Sequence, residues 1–244
     1  MARFFVEKEK ISNNQIIIDT SDAHHIARSL RMAEGDEAVV CDGEGKEYLC
    51  RLTRIRDEEC ICDIIEELNS STEPAVSITL CMAYPKGDKL ETVIQKAVEL
   101  GASRIIPFES QRCIKRPKAE KAEKQNARLS RIAEEAAKQC GRARIPVVTS
   151  PMSFNQMLDE AKKTGLSLLC YENEEGLTIK DVIKDKARPE SISIIVGSEG
   201  GFSAEEVEQA KAAGCLSVSL GNRILRCETA PAFALSVLSY EYEL

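Results

Sequence analysis

The sequence predicts two domains, a small β domain followed by a larger α/β domain with a largely parallel sheet. Strand-like runs separated by turn residues fill the chain before residue 68, whereas apolar strands alternate with amphipathic helices after residue 75. The segment between them, 68–75, is polar and contains turn formers and a proline, as domain boundaries often do. We therefore expect domains at residues 1–70 and 75–244.

The first domain is predicted to contain four strands and one helix. The helix, at 21–32, begins at Ser21 or Asp22, because either side chain can cap the amide groups of the first turn. Turn residues such as those at 42–45 separate the strands. The strands are expected at 15–19, 37–41, 47–55 and 60–65.

The second domain repeats a unit of one apolar strand and one amphipathic helix. The first unit is a strand at 76–83 and a helix at 89–100, whose apolar residues recur at helical spacing and which ends at Gly101. Further strands are expected at 103–108, 167–171, 191–196 and 216–220. Further helices are expected at 123–140, 154–161, 178–184, 204–213 and 231–240. This alternation is typical of a parallel sheet.

Composition points to an ordinary globular protein. The chain has 244 residues, of which 43% are apolar and 30% charged, so the signature of disorder is absent. No apolar run approaches the roughly 18 to 20 residues that cross a bilayer, and the amino terminus has no signal-peptide core, so we expect a cytosolic protein. Ten cysteines are spread through predicted strands and helices without a CxxC pair. This pattern predicts reduced thiols and no metal site.

Charge is distributed unevenly along the chain. The net charge is −7 for the whole protein, −7 for residues 1–72 and +7 for residues 104–146. A basic segment of this kind is typical of a surface that binds phosphates. A solvated helix face would carry the same charges, and charge alone does not separate the two interpretations.

Loops at the carboxyl ends of predicted strands are the candidate ligand site, because ligands of parallel sheets bind there. Loop 197–202 is rich in glycine and precedes Ser203 and Glu206, which have the spacing of a capping box. Its glycines would let a ligand approach the backbone, although a tight turn without a ligand would also use them. The loop matches neither GxGxxG nor a phosphate-binding P-loop, which argues against a dehydrogenase-like nucleotide enzyme.

Two other loops share this position. Loop 221–230 contains Ile224 and Leu225, which we expect to cover a ligand or partner, together with Arg226 and Glu228. The alternative is that the aliphatic pair plugs the end of the sheet and the charged pair forms a weak surface ion pair. Loop 171–176 is acidic and could hold a cationic or hydroxyl-bearing ligand, or be only a polar turn.

Several segments together resemble the RsmE family of knotted SPOUT methyltransferases, which methylates N3 of a uridine in 16S ribosomal RNA. The carboxyl-terminal signature of that family is similar to IIVGSEGGFSAEEV and SVSLGNRILRCETAPAFALSVL. The resemblance extends upstream through KGDKLETVIQKAVELGASRIIPF, Arg112 and RIAEEAAKQCGRARIPVV. The segment HHIARSLRMAEGD resembles the PUA-like β-barrel of the family. Ser198 stands where the family usually has proline.

The resemblance implies a PUA-like β-barrel RNA-binding domain and an α/β SPOUT domain with a deep trefoil knot. It also implies a homodimer with S-adenosylmethionine held among the three loops beside the subunit interface. Ile224 and Leu225 would pack on the adenine faces. The cofactor-binding residues would be Tyr171, Glu172, Gly197, Glu199, Gly200, Gly201, Leu220, Gly221, Ile224, Leu225, Thr229 and Ala230.

The implied chemistry needs a cation beside the substrate. Uridine N3 carries a proton with a pKa of about 9, so attack on the methyl group needs the uracil anion, which a nearby cation stabilises. Arg226 and Arg112 are the candidates, with Glu228 as orienter or proton acceptor, although Arg112 could instead bind phosphate. His24 and His25 lie in the β domain and are not expected to act as the base. The predicted RNA-binding residues are Arg28, Arg31, Arg116, Arg142 and Arg144.

Two alternatives remain open. A non-catalytic RNA-binding module would account for the basic segment and the PUA-like start, but not for three ligand-shaped loops.

The last helix has apolar residues on more than one side, with Phe233 and Val237 on one side and Leu235 on another. This pattern favours a homodimer, and the alternative is a helix buried within one chain.

Overall fold

The computed structural model describes residues 1–69, 72–114, 122–184 and 187–244, with only the backbone of Thr20. The chain forms two compact units. Unit 1 comprises Met1–Glu73 and Ala137–Ile145, and unit 2 comprises Pro74–Ala136 and Pro146–Leu244.

Unit 1 is built on a six-stranded sheet. In chain order the strands are β1 (Arg3–Phe5), β2 (Ile11–Ser12), β3 (Gln15–Asp19), β4 (Glu37–Cys41), β5 (Glu47–Ile55) and β6 (Glu59–Leu68). Their order in the sheet is β1-β4-β5-β6-β3-β2, and all pairs are antiparallel except β1 with β4. The predicted β-barrel is therefore a curled sheet, a half-barrel, in which the described residues of β1 and β2 form the two edges.

One helical segment covers the core of this sheet. Helix α1 (Thr20–His24) continues into a wider π-helical turn, His25–Leu30, and ends at Arg31, which has a φ of 53°. Ala23 and Ile26 are fully buried with the apolar residues of the strands. The predicted helix at 21–32 is thus present, and its second half is wound more loosely than the sequence pattern indicates.

Residues 137–145 belong to unit 1, although the predicted domains of 1–70 and 75–244 place them in the second domain. The carboxylate of Glu73 holds them: it accepts hydrogen bonds from the Arg142 side chain at 2.7 Å and from the Ala143 N–H at 3.0 Å. The Ile145 N–H also donates to the carbonyl of Gly43 at 3.2 Å. Contacts between residues so distant in sequence leave no local signal.

Unit 2 is built on seven strands in which every pairing is parallel, as predicted. The strands are β7 (Ser77–Ala83), β8 (Ala102–Glu109), β9 (Val147–Val148), β10 (Met152–Ser153), β11 (Leu166–Cys170), β12 (Ser191–Val196) and β13 (Leu216–Val218). The order is β10-β8-β7-β12-β11-β13, and β9 pairs with β8. Ile194 on β12 lies between Leu80 and Leu168, so the centre of the sheet is apolar. The short strands β9 and β10 were not predicted.

Helices connect these strands close to the predicted positions. They are α2 (Lys89–Glu99), α3 (Ala122–Cys140), α4 (Phe154–Ala161), α5 (Ile179–Ile183), α6 (Ala204–Ala212) and α7 (Thr229–Glu243). The predicted capping box of Ser203 and Glu206 is present at the start of α6. Among the described residues, no helix combines the length and the hydropathy of a membrane span.

Candidate functional site

The three candidate loops meet at one cavity of about 550 Å³. They follow β11, β12 and β13, which are neighbours in the sheet, so their carboxyl ends lie at one edge. A volume of this size is typical of a site for a small-molecule cofactor. The cavity is therefore the candidate active site.

Most residues predicted to bind the cofactor line this cavity. Those brought together are Tyr171, Glu172, Gly197, Glu199, Gly201, Leu220, Gly221, Ile224, Leu225 and Ala230, and the predicted catalytic Arg226 joins them. Gly200 and Thr229 were also predicted to bind the cofactor, but they are not among the described residues that line the cavity. The lining also contains residues that were not predicted: Lys89, Cys170, Val196, Ser198, Ser219, Asn222, Arg223 and Cys227.

The glycines of loop 197–202 are required by the protein itself. A Cβ at Gly200 would lie 2.8 Å from the Cβ of Arg112 and 3.0 Å from its carbonyl oxygen. Gly201 has a φ of 63°, and a Cβ there would overlap the carboxylate of Glu172. The sequence pattern suggested space for a ligand, whereas the structure uses these glycines for close contact with neighbouring loops.

Arg112 lies next to this loop rather than in the cavity lining that the structure describes. Its side chain is exposed and donates a hydrogen bond from Nη1 to the Gly200 carbonyl at 3.1 Å. The preceding residue, Gln111, donates its N–H to the buried carboxylate of Glu206 at 2.8 Å. The backbone at 111–112 is therefore tied to the start of α6, which positions Arg112 at loop 197–202.

Lys89 connects two of the cavity loops. Its Nζ lies 3.0 Å from Oε1 of Glu199 and 3.2 Å from Oε2 of Glu228. Lys89 opens α2, after the loop that follows β7, so a search of every strand-end loop would have included it. Hydrogen bonds to Glu199 and then Glu228 raise the pKa of Lys89 above its ordinary value, and the ammonium stays charged.

Both carboxylates of this cluster are ionised near neutral pH. Burial raises the pKa of Glu199, but hydrogen bonds from its own N–H and from Lys89 outweigh burial, and the pKa is lowered overall. The pKa of Glu228 is lowered mainly by its own N–H, against burial, with Cys227 and Lys89 adding to the effect. A carboxylate with a lowered pKa is a weak base. Both roles considered for Glu228, orienter and proton acceptor, stay predictions.

The cysteines of the cavity are thiols rather than thiolates. Burial, reinforced by a hydrogen bond to Glu228, raises the pKa of Cys227 to about 12. Its Sγ donates to Oε2 of Glu228 at 3.2 Å. Burial also raises the pKa of Cys170 to about 12. Since the thiolate is the nucleophilic form, neither side chain is suited to nucleophilic catalysis.

Another wall of the cavity, segment 222–226, is open to solvent. The side chain of Ile224 is 84% exposed, and Leu225 is half-buried. In the described part of the chain, no hydrogen bond or ion pair holds residues 222–225. The Arg226 carbonyl accepts the N–H groups of Thr229 and Ala230 at 2.8 and 2.9 Å, which anchors the segment where α7 begins. Ile224 therefore does not plug the end of the sheet.

The arginines predicted to bind RNA differ in accessibility. Arg28, Arg31 and Arg144 are exposed on unit 1, and Arg28 is paired with Asp57. Arg142 is only 3% exposed and its guanidinium is bonded to Glu73, which argues against the prediction that it contacts RNA. The sequence could not reveal this pairing. Arg116 lies outside the described residues.

Comparison with known proteins gives matches over nearly the whole chain. Residues 72–239 match an RNA methyltransferase domain family, and residues 18–65 match an RNA methyltransferase PUA domain. The chain is 36% identical to ribosomal RNA small subunit methyltransferase E of Bacillus subtilis (strain 168), covering 100% of this chain and 98% of the relative. It is 33% identical to the protein of that name from Mesomycoplasma hyopneumoniae (strain 232), covering 97% and 98%.

A solved structure agrees with these matches. The crystal structure of a ribosomal RNA small subunit methyltransferase E from Neisseria gonorrhoeae, bound to S-adenosyl methionine, superposes with a TM-score of 0.87 at 31% identity. The comparison covers 98% of this chain and 97% of that one. The similarity thus extends to the tertiary structure.

Proposed function

Because this chain belongs to the ribosomal RNA small subunit methyltransferase E family, we propose that it transfers a methyl group from S-adenosylmethionine to N3 of a uridine in 16S ribosomal RNA. The observation that carries the proposal is the cavity at which the three loops meet. Its position at the carboxyl edge of a parallel sheet is that of a cofactor site.

The residues of the cavity suit this cofactor. Ile224 and Leu225 supply apolar surface for the faces of adenine. The carboxylates of Glu172 and Glu199 can accept hydrogen bonds from amino and hydroxyl groups, and they favour a positively charged sulfonium. Bound S-adenosylmethionine supplies an electrophilic methyl group. The chain must then hold the uracil and stabilise its anion.

Arg226 is the residue that we propose stabilises that anion. It lines the cavity, it is exposed, and no ion pair within the described residues occupies its guanidinium. Loss of the N3 proton leaves negative charge on the uracil oxygens, and a cation beside them favours the anion. Arg112 is the second candidate, beside Gly200 of loop 197–202. Glu228 would orient the site rather than accept the proton.

Unit 1 is proposed to bind the RNA through Arg28, Arg31 and Arg144. Arg144→Glu should weaken RNA binding and make the affinity fall less steeply with added salt, because one phosphate contact is lost. Arg142→Glu is unsuitable as a test, since it would place a second carboxylate against Glu73 in a buried position. An unchanged salt dependence in Arg144→Glu would remove Arg144 from the RNA surface.

A homodimer is proposed from the outer face of α7. Ala230, Leu235 and Leu238 are buried within the chain, so part of the apolar pattern is satisfied without a partner. Phe233 and Tyr240 remain 39% and 71% exposed, and their spacing places them on one face of the helix. Sedimentation should show a dimer, and a 27.0 kDa species at micromolar concentration would contradict it. The trefoil knot remains an expectation from the family, and a cytoplasmic location remains an expectation from the sequence.

Two measurements test the proposed reaction. Saturating S-adenosylmethionine should stabilise the protein against heat, by about 2.7 kcal/mol at 100 times its Kd. Incubation with small ribosomal subunits, and separately with naked 16S RNA, should produce N3-methyluridine detectable by mass spectrometry of nucleosides. Absence of both responses would favour the alternative, a non-catalytic RNA-binding module. That alternative does not account for the cavity.

A further inference from the structure

The buried carboxyl group of Glu206 accepts hydrogen bonds from two separate segments of unit 2. Glu206 lies in the first turn of α6 and is 1% exposed. Its Oε2 accepts the N–H of Ser203 at 3.0 Å, which closes the capping box at the start of the helix. Its Oε1 accepts the N–H of Gln111 at 2.8 Å, 95 positions earlier in the chain. One side chain therefore joins the start of α6 to the loop that follows β8.

A capping box by itself does not need two acceptor oxygens. Helix α4 begins with the same motif, in which the exposed Gln156 closes the box, because its Oε1 accepts the N–H of Ser153 at 3.0 Å. A side-chain amide has one acceptor oxygen, and that oxygen is enough for one N–H. At α6 both oxygens of Glu206 accept an N–H. The second oxygen thus serves the loop after β8 and not the helix.

The loop after β8 depends on this second oxygen. Residues 110–113 form a turn that is closed by the N–H of Cys113, which donates to the Ser110 carbonyl at 3.1 Å. In a turn of this kind the N–H of the second residue, here Gln111, has no partner within the turn itself. Glu206 supplies the partner. The next residue is Arg112, so Glu206 fixes the backbone from which the Arg112 side chain projects.

Arg112 is held at one point and is otherwise available. Its Nη1 donates to the Gly200 carbonyl at 3.1 Å, its side chain is exposed, and no ion pair occupies it within the described residues. A guanidinium has five N–H donors and suits anionic oxygens, such as those of phosphate or of a uracil anion. Arg112 can therefore bind an anionic oxygen while it stays beside loop 197–202.

We propose that Glu206 is a positioning residue for methyl transfer. By accepting the N–H of Gln111, it holds Arg112 beside loop 197–202, where the guanidinium binds an anionic oxygen of the RNA substrate. This inference rests on the proposed function and extends it to a residue outside the cavity lining that the structure describes. Glu206 is buried, so it acts through Arg112 and does not itself contact the RNA.

Glu206→Gln separates the two tasks of this side chain. The amide has nearly the same shape and keeps one acceptor, so one of the two N–H groups loses its partner. The melting temperature should fall by about 3–10 °C. The kcat/KM for RNA should fall about tenfold, because a misplaced binding group loses much of its effect. The Kd for S-adenosylmethionine should stay the same, since Lys86 and Lys89 still hold loop 197–202.

A double-mutant cycle with Arg112→Ala tests whether Glu206 acts through Arg112. Arg112→Ala alone should lower kcat/KM for RNA at least as much as Glu206→Gln does. In the Arg112→Ala background, Glu206→Gln should cause no further fall, because the residue through which it acts is missing. A purely structural role would make the two losses multiply.

Asp181→Asn is the matched control. Asp181 is exposed and closes the capping box of α5, where only its Oδ2 accepts the N–H of Thr178. The substitution therefore replaces a capping carboxylate by an amide without releasing a second segment. Whatever its effect on melting temperature, kcat/KM for RNA should match the parent.

The experiment measures initial rates of methylation of small ribosomal subunits at saturating S-adenosylmethionine, below the melting transition of every variant, together with calorimetry of cofactor binding. A lower kcat at saturating RNA would assign Arg112 to the uracil anion, and a higher KM alone would assign it to a phosphate. Both results support positioning by Glu206.

Four results would overturn the proposal. They are an unchanged kcat/KM in Glu206→Gln or in Arg112→Ala, losses that multiply in the double mutant, an equal loss in Asp181→Asn, and a weaker cofactor affinity that accounts for the loss in Glu206→Gln. Absence of methylation by the parent protein would instead refute the proposed function.

Discussion

Loop 197–202 and segment 222–226 face the same cavity, but the protein holds them very differently. Loop 197–202 is fixed by Lys89, by the backbone of Lys86 and by Arg112, and its glycines allow close contact with Arg112 and Glu172. Segment 222–226 projects into solvent, with Ile224 84% exposed. One wall of the cavity is therefore preorganised, and the other is not.

The two walls would therefore contribute differently to binding and to catalysis. A preorganised wall loses little conformational entropy when a ligand binds, so its contacts contribute directly to affinity. An open segment loses more conformational entropy when the ligand binds, but it can close over the ligand and exclude water. We accordingly expect mutations in loop 197–202 to act mainly on binding, and mutation of Arg226 in the open segment to act mainly on turnover.

The largest expected effect concerns the open wall. Arg226→Ala should lower the methylation rate by about two to three orders of magnitude, the scale of one lost charge-stabilising donor. The remaining activity should recover as pH rises toward the pKa of N3, because the anion then forms without help. Single-turnover methylation with both substrates saturating measures this step.

Arg131→Ala is the control for this experiment, because Arg131 is an exposed arginine of unit 2 on α3. Its rate should match the parent. If Arg226→Ala keeps the parental rate, or loses activity only through weaker binding, Arg226 is a binding residue and Arg112 becomes the leading catalytic candidate.

The second prediction compares the walls directly by amide hydrogen exchange. Saturating S-adenosylmethionine should slow exchange in 222–225 by about ten- to a hundredfold, because an unbonded exposed segment becomes ordered. Loop 197–202 should change less, since it is already held in the free protein. Equal protection of both segments, read by mass spectrometry of peptides, would contradict the difference between the walls.

The third prediction disturbs the preorganised wall. Gly200→Ala should lower the free energy of unfolding by about 1–3 kcal/mol, because the new Cβ would meet Arg112 at 2.8 Å. Cofactor affinity should fall about tenfold as the loop shifts. Gly165→Ala is the matched control, since its Cβ would have no neighbour nearer than 3.5 Å. Denaturant unfolding and calorimetry measure both quantities, and equal effects in the two variants would argue against close packing as the cause.

The smallest expected effect is that of Lys89→Met. The side chain that links Glu199 to Glu228 loses its charge, so cofactor affinity should fall by a few-fold, the scale of a partly exposed ion pair. In the parent, the pKa of each glutamate is lowered. The contribution of each ionised carboxylate to cofactor affinity is therefore complete above the ordinary pKa of glutamate, and it is lost as the pH falls through the lowered pKa. Without Lys89 that loss should begin at higher pH.

A pH series of S-adenosylmethionine titrations tests this shift. Lys86→Met, at an exposed lysine whose backbone amide is unchanged by the substitution, should retain the parental profile. If the affinity for S-adenosylmethionine begins to fall at the same acidic pH in Lys89→Met and in the parent, Lys89 does not set the charge of the two glutamates.

Much of the local structure could be predicted from the sequence. The apolar runs at 191–196 and 37–41 coincide with β12 and β4 residue for residue, and the helical stripe after Lys89 coincides with α2 to within one residue. These features arise from neighbours within a few positions, where periodicity and capping act. The strand-end loops were found for the same reason, since each follows a recognisable strand.

Other features could not be predicted because they depend on contacts between distant residues. The burial of Arg142 requires Glu73, and the link between Glu199 and Glu228 requires Lys89. The need for glycine at position 200 comes from the backbone of Arg112. Each of these partners lies more than 60 positions away from the residue that it constrains.

Side-chain periodicity and turn chemistry are local, so the sequence alone was enough to predict the helices, the longer strands and the three loops that face the cavity, but not the short strands β1, β2, β9 and β10. Packing of the folded chain, in contrast, sets which loop is fixed and which is open, which arginine is accessible, and that the buried Ser198 hydroxyl has no partner among the described residues. Burial and pairing depend on what the folded chain brings alongside a residue. That information is distributed over the whole sequence and is expressed only when the chain packs.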